Sequence, residues 1–158
     1  METTDLFYMK EALKEAQKAF DQGEVPVGSI LVYQNEIIAR FANQVETLID
    51  ATAHAEVLCL RKGFEVLGNW RLSGCTLYVT LEPCPMCAGA IISSRIDRIV
   101  WGAPDLRQGA GGSLINLLGV PHPIHTVQVT SGILADESAH LMKTFFQQRR
   151  EWKKSLTS

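Results

Sequence analysis

The sequence predicts an α/β protein of three layers (α/β/α), a mixed five-stranded sheet covered by helices on both faces. Three observations predict it. Apolar residues recur at helical steps near both ends of the chain, and five short apolar, β-branched runs lie between them. The first two runs are separated by a tight turn, which makes an antiparallel hairpin. The later runs alternate with helix-forming segments, and a helix that carries the chain back along a sheet leaves successive strands parallel.

Leu6, Met9, Leu13, Ala16 and Phe20 fall at three- and four-residue steps and form one stripe of an amphipathic helix, with Gly23 placed to end it. Residues 27–33 are apolar and β-branched, Gln34-Asn35 offers the turn, and residues 36–41 form the returning strand. Residues 43–52 read as loop. Residues 53–67 read as helix, with Ala55, Leu58, Cys59 and Lys62 at helical spacing. A buried strand follows over 75–81. A helix over 83–94 opens with Pro85 in its first turn. A strand is expected at 96–101, a flexible loop at 109–112, a short helical turn at 114–118 and a fifth strand at 126–130. Residues 136–154 form a long amphipathic helix anchored by Leu141, Met142, Phe145, Phe146 and Trp152.

The 158 residues, 46% hydrophobic and 20% charged, suit one domain spanning 1–158. No run is long and apolar enough for a membrane span, and Met1 to Phe20 lacks the apolar core of a secretory signal, so a cytoplasmic protein is expected. The net charge of -2 gives no general attraction for nucleic acid. Charge is uneven, however. Arg149, Arg150, Lys153 and Lys154 gather near the C-terminus, where they form either a phosphate-binding face or a solvated helix surface. Of four cysteines, Cys59 and Cys75 sit in apolar company and read as buried small hydrophobes.

The remaining two carry chemistry. Residues 52–56 contain His-x-Glu at His54 and Glu56, and residues 83–87 contain Pro-Cys-x-x-Cys at Cys84 and Cys87. The stretch between them is one helix and one strand long, so the half-motifs can sit at the starts of two neighbouring helices and meet. Thiolate and imidazole are ligands that zinc favours. A helix N-terminus stabilises thiolates. Three protein ligands leave a fourth tetrahedral position for water, the mark of a catalytic site. Glu56 can stand beside that water and move protons. Taken alone, the Cys-x-x-Cys pair also fits a redox centre or half of a structural zinc site, with His122, His125 and His140 as further ligands. The His122 and His125 pair lies in a proline-bearing loop and reads as loop chemistry.

With both half-motifs in place, the chain resembles the cytidine deaminase superfamily and, within it, the family of bacterial tRNA-specific adenosine deaminases. The resemblance runs from about Glu11 to Arg150. It takes in residues 23–28, Asn43, residues 50–56 and residues 76–94. It continues through Gly102, Ala103, Asp105, residues 109–113 except Gly111, residues 132–135, Phe145, Phe146, Arg149 and Arg150. It implies one zinc ion on His54, Cys84 and Cys87, with Glu56 as the proton carrier. It implies conversion of the wobble adenosine of a tRNA anticodon stem-loop to inosine, with release of ammonia, by a homodimer. By the same resemblance, Asn43 hydrogen-bonds a flipped adenine and Val25 and Val27 line its pocket. Asp105 and the glycine-rich loop shape the site for flanking nucleotides, and Phe145, Phe146 and Arg149 help bind the anticodon loop.

The chain departs from the usual pattern at Ala42, Ala51 and Arg107, none of which touches the metal chemistry. Two rivals stand beside this reading. One is a guanine or cytosine deaminase of the same fold acting on a free base. The other is a zinc-stabilised RNA-binding module without catalysis, against which Glu56 and the absence of a fourth ligand in the motif both argue.

Overall fold

A computed structural model describes residues 3–157. Met1, Glu2 and Ser158, which belong to the single-domain span and to the N-terminal segment read above, lie outside the described residues. The elements are α1 (Thr4–Asp21), β1 (Gly28–Tyr33), β2 (Glu36–Ala42), α2 (Val45–Leu48), α3 (Ala55–Leu67), β3 (Cys75–Leu81), α4 (Pro85–Ser93), β4 (Arg98–Ala103), β5 (Gln128–Thr130) and α5 (Ala135–Thr157). The strand order is β2-β1-β3-β4-β5. β1 runs antiparallel to both β2 and β3, while β3, β4 and β5 are parallel, so the mixed sheet is as expected. No helix among the described residues is long and apolar enough to cross a membrane.

Alternation along the strands sends side chains to two cores. Leu31, Leu77, Val79, Ile99 and Trp101 face α3 and α4, whose Cys59, Leu60, Ala88, Ile91 and Ile92 complete the larger cluster. Ile30, Val32, Tyr78 and Val100 face the opposite way, against Tyr8, Met9 and Ala12 of α1. α5 joins that second face, where the Ser138 hydroxyl donates to the Thr80 carbonyl and Phe145 meets the Phe20 ring edge-on.

α1 starts on the Thr3 hydroxyl, which accepts the Leu6 N–H at 3.2 Å, and ends at Gln22 before Gly23 at φ +76°. Its buried stripe is Tyr8, Met9, Ala12, Ala16 and Ala19; Leu6, Leu13 and Phe20 flank it half-buried. The reason is close approach. A Cβ on Gly28 of β1 would lie 2.0 Å from the Ala12 carbonyl oxygen, so only the alanine face lets the helix down onto the strand. The hairpin turn is carried by Gln34 and Asn35, both at positive φ, the type I′ arrangement that matches strand twist. One irregularity follows, where Leu31 and Val32 oppose Ala39 and Ile37.

The expected boundaries shift at several places. The stretch 43–52 is not all loop, because α2 forms within it. α3 and α4 begin at residues 55 and 85, each with a metal-motif residue as its cap. β4 lies two residues later than expected and β5 is shorter. Residues 114–118 form no helix: the N–H groups of Leu114 and Ile115 both turn back to the Gly109 carbonyl. The glycine-rich loop is tied down rather than free, because the N–H groups of Gly111 and Ser113 donate to Glu82.

The N-terminus of α1 is clamped to the sheet. Arg98 of β4 donates two hydrogen bonds to Asp5, at 2.8 and 2.6 Å, and Tyr78 donates a third at 2.7 Å. Arg98 also donates to the Thr130 hydroxyl of β5 at 2.7 Å.

Candidate active site

His54 is the N-cap of α3 and Cys84 the N-cap of α4, with Pro85 in the following turn and Cys87 three residues on from Cys84. α3 leads into β3 and α4 leaves it, so the two helix starts meet above the C-terminal end of β3. His54 Nδ1 lies 3.6 Å from Cys84 Sγ and 3.4 Å from Cys87 Sγ. All three ligand atoms fall within 4.8 Å of one another, and among the described residues this is the group that could hold a metal ion. One imidazole nitrogen and two sulfurs, converging on a point at two helix N-termini, fit zinc in donor type and number.

The three groups shift one another's protonation. A hydrogen bond from the Cys87 thiol, and then the neighbouring His54, hold Cys84 down to about 4. The Cys84 sulfur beside it, with burial and Glu56, pushes Cys87 well above the ordinary thiol range. The hydrogen bond with Cys84 raises His54. Burial raises Glu56 above the ordinary carboxyl value. Cys59 and Cys75 are buried and free, as expected, and burial pushes them up to about 12 and about 11. The other histidines are elsewhere: His125 Nε2 pairs with the Ile96 carbonyl at 2.7 Å, His122 Nδ1 accepts the Ile124 N–H at 3.1 Å, and His140 is exposed on α5.

A cavity of about 600 Å³ opens beside the cluster. His54, Glu56 and Cys84 form part of its lining, with Val25, Val27 and Asn43. Residues 103–108 and Lys143 and Phe146 of α5 supply other walls. Glu56 is 4% exposed, buried beside the metal group rather than within it. Asn43 is held by its N–H, which donates to the Val27 carbonyl at 3.0 Å. Asp105 accepts from the N–H groups of Arg107 and Gln108 and so turns its own loop.

Two of the residues expected at the anticodon loop sit apart from the cavity. Phe145 and Arg149 do not line the cavity. Phe145 is buried between Phe20 and Phe146, so its ring belongs to the packing of α5 on α1. The Arg149 guanidinium donates to the Gly23 carbonyl and lies 5.0 Å from the Phe145 ring centroid. It ties α5 to the end of α1.

Sequence reasoning passes over two buried carboxylates at this cavity. Glu24 accepts the N–H groups of Glu46 and Thr47, at 3.1 and 2.7 Å, and so pins the start of α2. Glu82 accepts from Asp105, Gly111 and Ser113. The signal open to a reader of the sequence is an acid at the end of an apolar strand, directly before Pro83 and Cys84.

Comparison with known proteins adds to this geometry. The family model of MafB19-like deaminases matches residues 3–150. A tRNA-specific adenosine deaminase of Bacillus subtilis (strain 168) is 50% identical over 153 residues, covering 97% of this chain and 95% of the relative. The chloroplastic tRNA(adenine(34)) deaminase of Arabidopsis thaliana is 48% identical over 163 residues, which cover 93% of this chain and 12% of that longer protein. A structure from studies of A-to-I editing by tRNA:A34 deaminases at the wobble position superimposes with a TM-score of 0.82 at 44% identity, covering 85% of this chain and 98% of the other. A guanine deaminase of Nitrosomonas europaea shares the fold, with a TM-score of 0.77 at 23% identity over 92% of this chain and 85% of that one.

Proposed function

The chain belongs to the MafB19-like deaminase family and, within it, to the tRNA-specific adenosine deaminases, and from that membership we propose how its residues carry out the reaction. The reaction is hydrolytic deamination of the wobble adenosine of a tRNA to inosine: water adds at the amino-bearing ring carbon, and ammonia leaves. The observation that carries the assignment of roles is the convergence of His54, Cys84 and Cys87 within 4.8 Å, beside a cavity that Glu56 also lines.

In this reading His54, Cys84 and Cys87 hold one zinc ion. Zinc supplies the Lewis acidity that makes water nucleophilic near neutral pH. Glu56 carries the protons: it takes one from the attacking water, gives it to the adjacent ring nitrogen, and serves the departing amine. Its place suits this work, because it is buried beside the proposed ligands and lines the same cavity. Val25 and Val27 present apolar surface to the purine, and Asn43 offers a side-chain amide to its polar edge. Asp105 and Phe146 stand at the cavity for the nucleotides on either side.

The base reaches this depth only when turned out of its strand, which an anticodon loop allows. The proposed partners are the tRNA anticodon stem-loop and a second copy of this chain, and the proposed location is the cytoplasm; family resemblance supports all three. One domain is proposed to carry the whole activity. The test is to incubate zinc-loaded protein with an anticodon stem-loop bearing a wobble adenosine and with free adenine, cytosine and guanine, following ammonia release. Turnover of the stem-loop alone is expected. Turnover of a free base alone would assign the chain to the other kind of deaminase.

A further inference from the structure

The loop of residues 104–113 forms one rim of the cavity, and its shape is set from beneath by one side chain. Glu82 stands at the end of β3, 3% exposed, two residues before Cys84. Its Oε1 accepts the Asp105 N–H at 3.1 Å and the Ser113 hydroxyl at 2.5 Å. Its Oε2 accepts the N–H groups of Gly111 and Ser113 at 2.8 and 3.1 Å. A carboxylate has about four acceptor positions, and four donors from both ends of the loop meet them. The loop also approaches the carboxylate closely: a Cβ on Gly109 would lie 2.3 Å from the carboxyl carbon.

The tip held this way has an unusual character. Leu106 is 80% exposed, Arg107 and Gln108 are exposed, and all three line the cavity. An apolar side chain and a guanidinium presented together at a cavity mouth suit a nucleotide, whose base offers a stacking face and whose phosphate offers charge.

We propose that Glu82 is a positioning residue: by gathering both ends of the 104–113 loop onto one buried carboxylate, it fixes the Leu106–Gln108 tip where it reads the nucleotide beside the target adenosine. This rests on the tRNA reading given above. Glu82 is outside the group of possible metal ligands, and the role proposed for it is to hold the loop. Its effect belongs to recognition.

The experiment compares Glu82→Gln with Gly109→Ala. The amide of the first turns an NH2 group toward N–H donors. The second places a methyl 2.3 Å from the carboxyl carbon and 2.6 Å from the Asp105 carbonyl oxygen, so it displaces the loop from both, at a site whose φ lies outside the left-handed region. Each variant is assayed on stem-loops that differ in the nucleotides flanking the wobble adenosine, with zinc content and amide exchange over 105–113 measured in parallel. KM is expected to rise about tenfold, the scale of one charge-assisted hydrogen bond removed, with kcat changed less than about threefold. Zinc stays at one per chain, discrimination among the flanking nucleotides collapses, and the loop amides exchange faster. Unchanged discrimination in variants whose loop exchanges faster overturns the proposal, as does loss of zinc and kcat at unchanged KM. If Glu82→Gln does not fold, Gly109→Ala carries the same test. If wild type leaves the stem-loop untouched, the functional reading falls, and loop exchange unaltered by either variant overturns the claim for Glu82 separately.

Discussion

The Nδ1 of His54 lies 3.4 Å from the Sγ of Cys87, although His54 caps α3, Cys87 lies in α4 and the whole of β3 separates them in the chain. That separation suits two ligands of one small ion. Cys84→Ala is therefore expected to lose most of the zinc, from about one ion per chain to near none, since a site of three protein ligands leaves no spare donor. His122→Ala, whose imidazole serves its own loop, is expected to retain it. Metal analysis of both purified variants checks this.

Glu56→Ala is expected to fold, keep its zinc and lose turnover by about a hundred- to ten-thousand-fold, the usual contribution of a positioned acid–base group. Single-turnover deamination of the stem-loop is the measurement. Near-normal rates in a zinc-loaded variant would remove Glu56 from the proton path.

The basic C-terminal residues divide into two kinds. Arg150, Lys153 and Lys154 are exposed, whereas Arg149 is tied to Gly23 and Phe145. Charge reversal of Arg150 and Lys153 should weaken stem-loop binding across all sequences and flatten its salt dependence, by about one unit of slope for each phosphate that the protein no longer neutralises. Arg149→Glu should instead lower the melting temperature. Titrations at several salt concentrations, with thermal melts, separate the two.

Asp5 and Arg98 give the fold a defined acid response. The hydrogen bonds from Arg98, helped by Tyr78 and set against burial, hold Asp5 below the ordinary carboxyl value. The folded pKa is thus depressed. Its contribution is present above the unfolded value of about 3.9 and disappears as pH falls through the folded value. Asp5→Asn should cost about 1–2 kcal/mol at neutral pH and lose less than wild type on acidification below about pH 4. Denaturant melts at neutral and acid pH read the difference.

The chemistry of this protein is readable from its sequence because metal ligands must be particular residues at particular local spacings. His54, Cys84 and Cys87, the proposed ligands, meet that condition, Glu56 stands at a fixed step from His54, and Pro85 marks where a helix must begin. Glu24 and Glu82 do not meet it. Apart from the Ser113 hydroxyl, their partners are backbone N–H groups, which carry no residue identity, so the place of Glu82 directly before Pro83 is the one local signal. α2 is four residues long, too short for any periodicity to show. The periodicity of α5 identifies Phe145 as apolar without revealing whether it meets a ligand or another helix. The alanine face of α1 is set by Gly28, a residue outside the helix and invisible to a helical pattern.

The order of elements has a consequence for how such an enzyme changes. His54 and Glu56 open α3, Cys84 and Cys87 open α4, and β3 alone separates these helices in the chain. The reacting group is thus a contiguous cassette. Much of its surroundings comes from elsewhere: the Val25–Val27 segment, Asn43, residues 103–108 and α5. Substitutions in those segments are expected to alter which base is accepted while leaving the proposed metal ligands in place. The guanine deaminase that shares this fold at 23% identity shows how far sequences built on it can diverge. Grafting the residues 104–108 of one such protein onto another is then expected to alter recognition while the cassette stays untouched.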